Sequence, residues 1–222
     1  MPAVRISTAE LLAATAQLPP ADRAEMAVPS YAHRNPLIRW LFWRRLDMAL
    51  ELAGIRSGTA TLDFGTGSGI LLASLAAVSG RVVAIDIELG PGTRTAASRD
   101  LSVEFVPLVD FSDWVQTNPG TIDCIFALDV LEHVEDRELI ELSVSFRSLL
   151  RPHGRLIVSG PTETPMYRLG RALAGFRNDY HHRTIFDIDR VLAHDWGVAR
   201  RAYLPTFPLP RAFVLTRYEP RA

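Results

Sequence analysis

The sequence predicts an α/β protein: a doubly wound, mostly parallel sheet with helices on both faces, closed by a C-terminal antiparallel hairpin. Three observations carry this. From residue 59 onward, short apolar runs alternate with helix-forming runs, the pattern of successive β-α-β units. At one junction, Thr61-Leu62-Asp63-Phe64-Gly65-Thr66-Gly67-Ser68-Gly69-Ile70-Leu71-Leu72, a strand enters a helix through three glycines at alternate positions. Finally, the last two apolar runs, near 197–204 and 211–218, are parted by a short segment holding Pro205, Pro208 and Pro210. That gap is too short for a helical crossover, so the two runs pair antiparallel.

The elements follow in order. Ser7 and Glu10 have the spacing of a capping box, and Leu11, Leu12 and Leu18 supply an apolar face, which predicts a helix over 7–18 ended by Pro19 and Pro20. Residues 22–35 carry no regular pattern. A second helix runs from Leu37 to Ala53 and stops at Gly54. Arg39, Trp40, Phe42, Trp43, Arg44 and Arg45 fall within two of its turns. The favoured reading packs this helix on the sheet or over a pocket, with arginine at the rim, because aromatic stripes are usually buried. The sharper alternative is a basic, tryptophan-bearing surface that meets a membrane or a lipid-linked substrate. Strands are expected at 60–64, 81–86, 103–107, 122–128 and 155–160, and helices at 69–78, 92–98, 111–117 and 136–150. Residues 1–57 thus read as an N-terminal helical cap and 58–218 as the core, with an insertion at about 160–195 containing helices near 166–176 and 187–194.

Composition narrows the classes. At 222 residues, 48% apolar, the chain suits one domain with additions. A net charge of -1 gives no global field for nucleic acid. All 24 basic residues are arginine, so lysine chemistry is excluded, including a Tyr-x-x-x-Lys reductase pair. The single Cys124 forms no internal disulfide, which fits a reduced compartment. The N-terminal residues lack a signal-peptide apolar core, and no run reaches the length of a membrane span. The expectation is a cytoplasmic protein.

The glycine junction carries the chemistry. A strand that turns into a helix in this way presents free backbone N–H groups and the positive end of the helix dipole to a ligand. Asp63, at the strand's end, suits a cationic group. The second strand, Arg81-Val82-Val83-Ala84-Ile85-Asp86, also ends in an acid. An acid at that tip suits the two hydroxyls of a ribose. The glycines follow G-x-G-x-G; residue 70 is Ile, where the dinucleotide fingerprint G-x-G-x-x-G needs glycine.

Leu62 to Gly69, with Asp63 before the glycines and Asp86 after them, resembles motif I of the class I S-adenosylmethionine-dependent methyltransferases. The resemblance covers about residues 58–218 and places the chain in the small-molecule, type 11/12-like branch. It implies a Rossmann-like doubly wound seven-stranded sheet, and S-adenosyl-L-methionine held by Asp63, Phe64, Gly65, Thr66, Gly67, Gly69, Asp86 and Ile87. Asp110 and Phe111, after the third strand, match the adenine acid and the apolar residue that covers the ring; Asp110 also reads as a helix N-cap. Asp123 to Val134 is similar to motif IV, so Leu128 and Asp129 line the methionine side of the cofactor. Leu149 to Ser159 resembles the helix-loop-strand signature that closes the core, with His153 at the surface.

The resemblance implies methyl transfer, by preference to oxygen, on a small-molecule or lipid-linked acceptor. His133 can serve as general base, although it equally reads as a loop-holding residue beside Glu132. Asp129, Glu132 and His133 share the i, i+3, i+4 spacing of a divalent-ion motif found in some relatives of this kind, but a hard cation needs more oxygen ligands than this pattern supplies, and no metal is assigned. Within the insertion, Tyr180, His181 and His182 read as an acceptor wall, with His181 or His182 as further base candidates. Arg168 and Arg171 would bind an anionic group, and Tyr31 would add to the wall from the N-terminal side. Peripheral membrane contact fits a lipid-linked acceptor. The rival reading is a non-catalytic binding module or partner subunit with the same fold.

Overall fold

A computed structural model of the chain describes residues 1–19, 23, 28–162, 183–205 and 212–221. Seven strands, β1 Thr59–Phe64, β2 Ser79–Asp86, β3 Glu104–Pro107, β4 Ile122–Leu128, β5 Leu150–Pro161, β6 Trp196–Leu204 and β7 Phe213–Pro220, form one sheet in the order β3-β2-β1-β4-β5-β7-β6. The first five pair in parallel. β7 is antiparallel to both β5 and β6, as the proline-parted hairpin predicts. β5 begins before residue 155, because Leu150 already pairs with Ile122 ahead of a register shift.

The described helices are α1 Thr8–Ala14, α2 Val28–Tyr31, α3 Pro36–Ala53, α4 Leu72–Ala76, α5 Gly90–Ser98, α6 Phe111–Thr117, α7 Asp136–Leu149 and α8 Ile185–Leu192. The capping box at Ser7 and Glu10 forms in both directions. α3 starts at Asn35, whose side chain accepts from the Leu37 N–H with Pro36 in the first turn, and ends at Gly54 in the left-handed region. α4 is shorter than the expected 69–78. Gly69 donates to the Thr66 carbonyl and Leu72 to the Gly69 carbonyl, so the residues before Leu72 are spent in tight turns.

Strand side chains alternate between two buried clusters, as the two-residue period requires. Leu62, Phe64, Val83, Ile85, Ile125 and Ala127 face α6, α7 and α8. Val82, Ala84, Cys124, Phe126 and Ile157 face α3 and α4, where Leu46, Ala49, Leu50 and Ala53 cover them. The N-terminal residues dock on this second face: the Ala3 N–H donates to Asp47 Oδ1 at 2.7 Å and the Val4 N–H to Ser74 Oγ at 2.8 Å. Burial pushes the Cys124 thiol up to about 12, leaving it protonated and unreactive. Among the described residues, no helix is long and apolar enough to cross a membrane.

Candidate functional site

In a doubly wound sheet the crevice opens outside the carboxyl ends of the strands where the order reverses. Here that point lies between β1 and β4. Beyond Phe64 the chain turns sharply, and the N–H groups of Gly65 and Thr66 both donate to the Ile85 carbonyl, at 2.8 and 3.1 Å. Gly65 sits at φ +78°, and a Cβ there would lie 2.7 Å from Val130 Cγ2. The loop after β4 therefore presses directly on the glycine turn. Gly67 also has positive φ, but a Cβ there would meet nothing within 4 Å: this side of the turn is open. Gly65→Ala combines left-handed strain with a clash and is expected to lower stability by about 2–4 kcal/mol. Gly67→Ala carries the strain alone, about 1–2 kcal/mol. Urea unfolding of the two variants checks the difference.

Two acids flank the turn. Asp63 is buried at the end of β1 and accepts from Thr66 Oγ1 at 2.8 Å. Burial pushes its carboxyl up to about 7; the Thr66 hydrogen bond opposes this and the nearby Asp86 charge adds to it. Asp86, half-buried at the tip of β2, accepts from the Gly67 N–H at 2.7 Å on one oxygen and from the Glu88 N–H at 3.1 Å on the other. A carboxylate has further lone pairs to offer. Beside it Ile87 is 84% exposed, and Val109, just after β3, is 87% exposed. Asp86 is level with Pro107 on β3, so both bare aliphatic side chains follow strand ends at this edge of the sheet, where a planar apolar group could be covered.

At the end of β4, Asp129 takes a left-handed backbone, φ +55°. Its N–H donates to the Ser159 carbonyl at 3.1 Å, and its Oδ1 accepts from Ser159 Oγ at 2.8 Å. Its other oxygen forms an ion pair with Arg45 of α3. Arg45 is 2% exposed, donates to the Tyr31 hydroxyl at 2.9 Å, and lies over the rings of Phe42 and Phe213.

The expected site residues divide accordingly. Asp63, Gly65, Thr66, Gly67, Gly69, Asp86, Ile87, Leu128 and Asp129 gather around the β1/β4 crevice and the adjoining tip of β2. Phe64 and Phe111 bring no ring to it: both are buried and pack on each other and on Phe146, with centroids 5.4, 5.1 and 6.3 Å apart. Phe111 opens α6 on its core face, so the exposed aliphatic group near Asp110 is Val109. Asp110 is exposed and makes no capping hydrogen bond, so the cap reading fails. Tyr31 is buried against Phe42 and Trp43 with its hydroxyl held by Arg45; it belongs to the core and not to an acceptor wall. His133 is exposed at the end of the short 3-10 turn Leu131–His133, beside buried Glu132. Among the described residues, no cluster of three or more His, Cys, Asp and Glu gathers as metal ligands. Tyr180, His181, His182, Arg168 and Arg171 lie outside the described residues.

Arg45 is the residue that the sequence misplaced. In a stripe of three arginines and two tryptophans nothing marks which arginine points inward. The helix resolves it: Trp43, Arg45 and Leu46 are buried, whereas Leu37 and Trp40 are 68% and 54% exposed. Arg44 pairs with Glu51 at 2.7 Å on the outer face.

Known proteins resemble this chain in sequence and in fold. The ubiquinone biosynthesis O-methyltransferase of Xanthomonas euvesicatoria pv. vesicatoria is 37% identical over 121 residues, 52% of this chain and 47% of that protein. The chain spans about half the length of the curated relatives it matches. Among solved structures, the PH0226 protein of Pyrococcus horikoshii superposes with a TM-score of 0.69 at 19% identity, over 87% of this chain and 96% of that one. The N-methyltransferase NodS of Bradyrhizobium japonicum, solved with S-adenosyl-L-homocysteine, gives 0.66 at 18% identity over 89% and 95%. These structures support the fold. The family itself follows from the match of residues 14–194 to the methyltransferase domain, a span that includes the glycine turn and both acids: this chain belongs to the class I S-adenosylmethionine-dependent methyltransferases.

Proposed function

We propose that the protein transfers a methyl group from S-adenosylmethionine to an oxygen of a small-molecule or lipid-linked acceptor. The observation that carries the cofactor reading is Asp86, anchored by the Gly67 N–H at 2.7 Å, together with exposed Ile87, which follows it, and exposed Val109, two residues beyond Pro107, its register partner on β3. The residues fit the group: an acid for the ribose hydroxyls, aliphatic faces for the adenine, Asp110 for its amino group, and an open glycine where the ligand must approach. Asp63 then receives the ammonium of the methionine half, and the backbone at Leu128 and Asp129 lines it. When bound, the cofactor supplies an electrophilic methyl on a sulfonium.

The chain's task is to align the acceptor and exclude water. An acceptor hydroxyl must also lose its proton; His133, exposed after β4 beside buried Glu132, or His181 or His182 in the insertion, takes it. Oxygen as the target is supported by the curated relatives, which are named ubiquinone biosynthesis O-methyltransferases. An acceptor with an apolar tail is supported by exposed Leu37 and Trp40 at the start of α3, with Arg34 and Arg39 beside them on the surface.

Incubation with methyl-labelled S-adenosylmethionine and paired phenolic acceptors, with and without a long alkyl tail, tests this reading. The expected result is label on oxygen, faster for the tailed acceptor. Transfer to nitrogen alone, or no transfer by protein that binds the cofactor, contradicts it. His133→Ala is expected to lower kcat by about 10²-fold while leaving S-adenosylhomocysteine affinity within about twofold of wild type, read by parallel kinetics and calorimetry.

A further inference from the structure

We propose that Arg45 is a positioning residue for the methyl-transfer site: from the buried face of α3 it pins Asp129 and so fixes the backbone at the carboxyl end of β4. The inference rests on the cofactor site proposed above and adds to it a residue from the N-terminal segment.

Arg45 is 2% exposed, and its guanidinium lies 5.0 Å from the centroid of Phe42 and 4.8 Å from that of Phe213. A cation in such surroundings is costly unless a counter-charge meets it. Asp129 supplies that charge through Oδ2. The second nitrogen is oriented by the Tyr31 hydroxyl at 2.9 Å. Asp129 is therefore held from two directions, by α3 on one oxygen and by Ser159 of β5 on the other.

The consequence reaches the cofactor turn. Asp129 is the first residue after β4, with a left-handed φ of +55°. The next residue, Val130, occupies the space that a Cβ on Gly65 would need, 2.7 Å away. Fixing Asp129 thus sets where Val130 meets the glycine turn, and links α3 to both walls of the crevice. Packing alone does not require this arrangement: an apolar side chain at position 45 would fill the same space without burying a charge. A charge pair buried at its arginine end, and half-buried at the aspartate that lines the methionine half, is suited to holding one geometry of that lining.

The test measures S-adenosylhomocysteine affinity by calorimetry and backbone hydrogen exchange over residues 127–134, for wild type, Arg45→Met and Asp129→Asn. Met replaces the aliphatic stem of arginine and removes the guanidinium charge. Asn keeps the acceptor for Ser159 and tolerates a left-handed backbone as well as Asp does, so its effect reports the ion pair. Both variants are expected to exchange about tenfold faster or more over 127–134, with β2 unchanged, and to bind S-adenosylhomocysteine at least about tenfold more weakly. If Arg45→Met does not fold, Asp129→Asn decides. Wild-type exchange over 127–134 in folded variants overturns the proposal, as does faster exchange with undiminished affinity. If wild-type protein binds no S-adenosylhomocysteine, the cofactor reading itself fails; hydrogen exchange still reads the pinning, and unchanged exchange refutes that too.

Discussion

Asparagine at Asp63 is expected to stabilise the free protein at pH 8 and to abolish its cofactor binding. The carboxyl is buried with one hydroxyl partner, and burial holds it at about 7, above the ordinary 3.8. A carboxyl raised in the fold is protonated there when the unfolded chain has already ionised. Wild-type stability is therefore greatest below the ordinary carboxylate value and is lost as pH rises through about 7. Asn keeps an acceptor for Thr66 and carries no charge, so its advantage is absent near pH 4, grows as pH rises towards about 7 and is complete above it. A gain of several °C is expected, at roughly 2–4 °C per kcal/mol for a chain of this size. Thermal unfolding at the two pH values checks it.

The same group makes cofactor binding pH-dependent. Asp63 must release its proton to receive an ammonium, so wild-type affinity should fall about tenfold per pH unit below the 7 region. The Asn variant should bind weakly at every pH. On the role proposed for Asp63, the charge that costs the free protein stability is the one the ligand requires.

Alanine at Asp86 is expected to weaken S-adenosylhomocysteine binding by about 10²–10³-fold, the equivalent of roughly 3–4 kcal/mol for charged hydrogen bonds to two hydroxyls. The carboxylate also accepts from the Gly67 and Glu88 N–H groups, so its removal loosens the glycine turn as well. Asp86→Asn, which retains one acceptor, should fall between wild type and Ala. Calorimetry on the three proteins gives the order. Equal affinity in all three would remove Asp86 from the site.

These acids were legible in the sequence because their positions are set by local pattern. A short apolar run ending in an acid, followed by a glycine turn, leaves few other structures, and the parallel register then brings Asp63 level with Ala84 and Asp86 level with Pro107. The alternation that fixes the sheet also fixes which strand residues face which helices. What the pattern does not encode is long-range choice among similar side chains. Phe111 follows Asp110 and opens α6, and it turns inward because Phe64 and Phe146 offer an aromatic core. Arg45 and Asp129 are 84 residues apart in the chain (129 minus 45), and neither carries a local sign of the other. Tyr31 reads as a pocket residue until Arg45 is placed beside it. The acceptor wall at residues 180–182, by contrast, rests on sequence alone.

The central claim is that the β1/β4 crevice is a nucleoside-sulfur site, and calorimetric titration of the purified protein with S-adenosylhomocysteine, alongside NADH, tests it most directly. The account predicts saturable one-to-one binding of S-adenosylhomocysteine and none of NADH. A folded, ligand-free protein that takes up neither, or NADH alone, would contradict it.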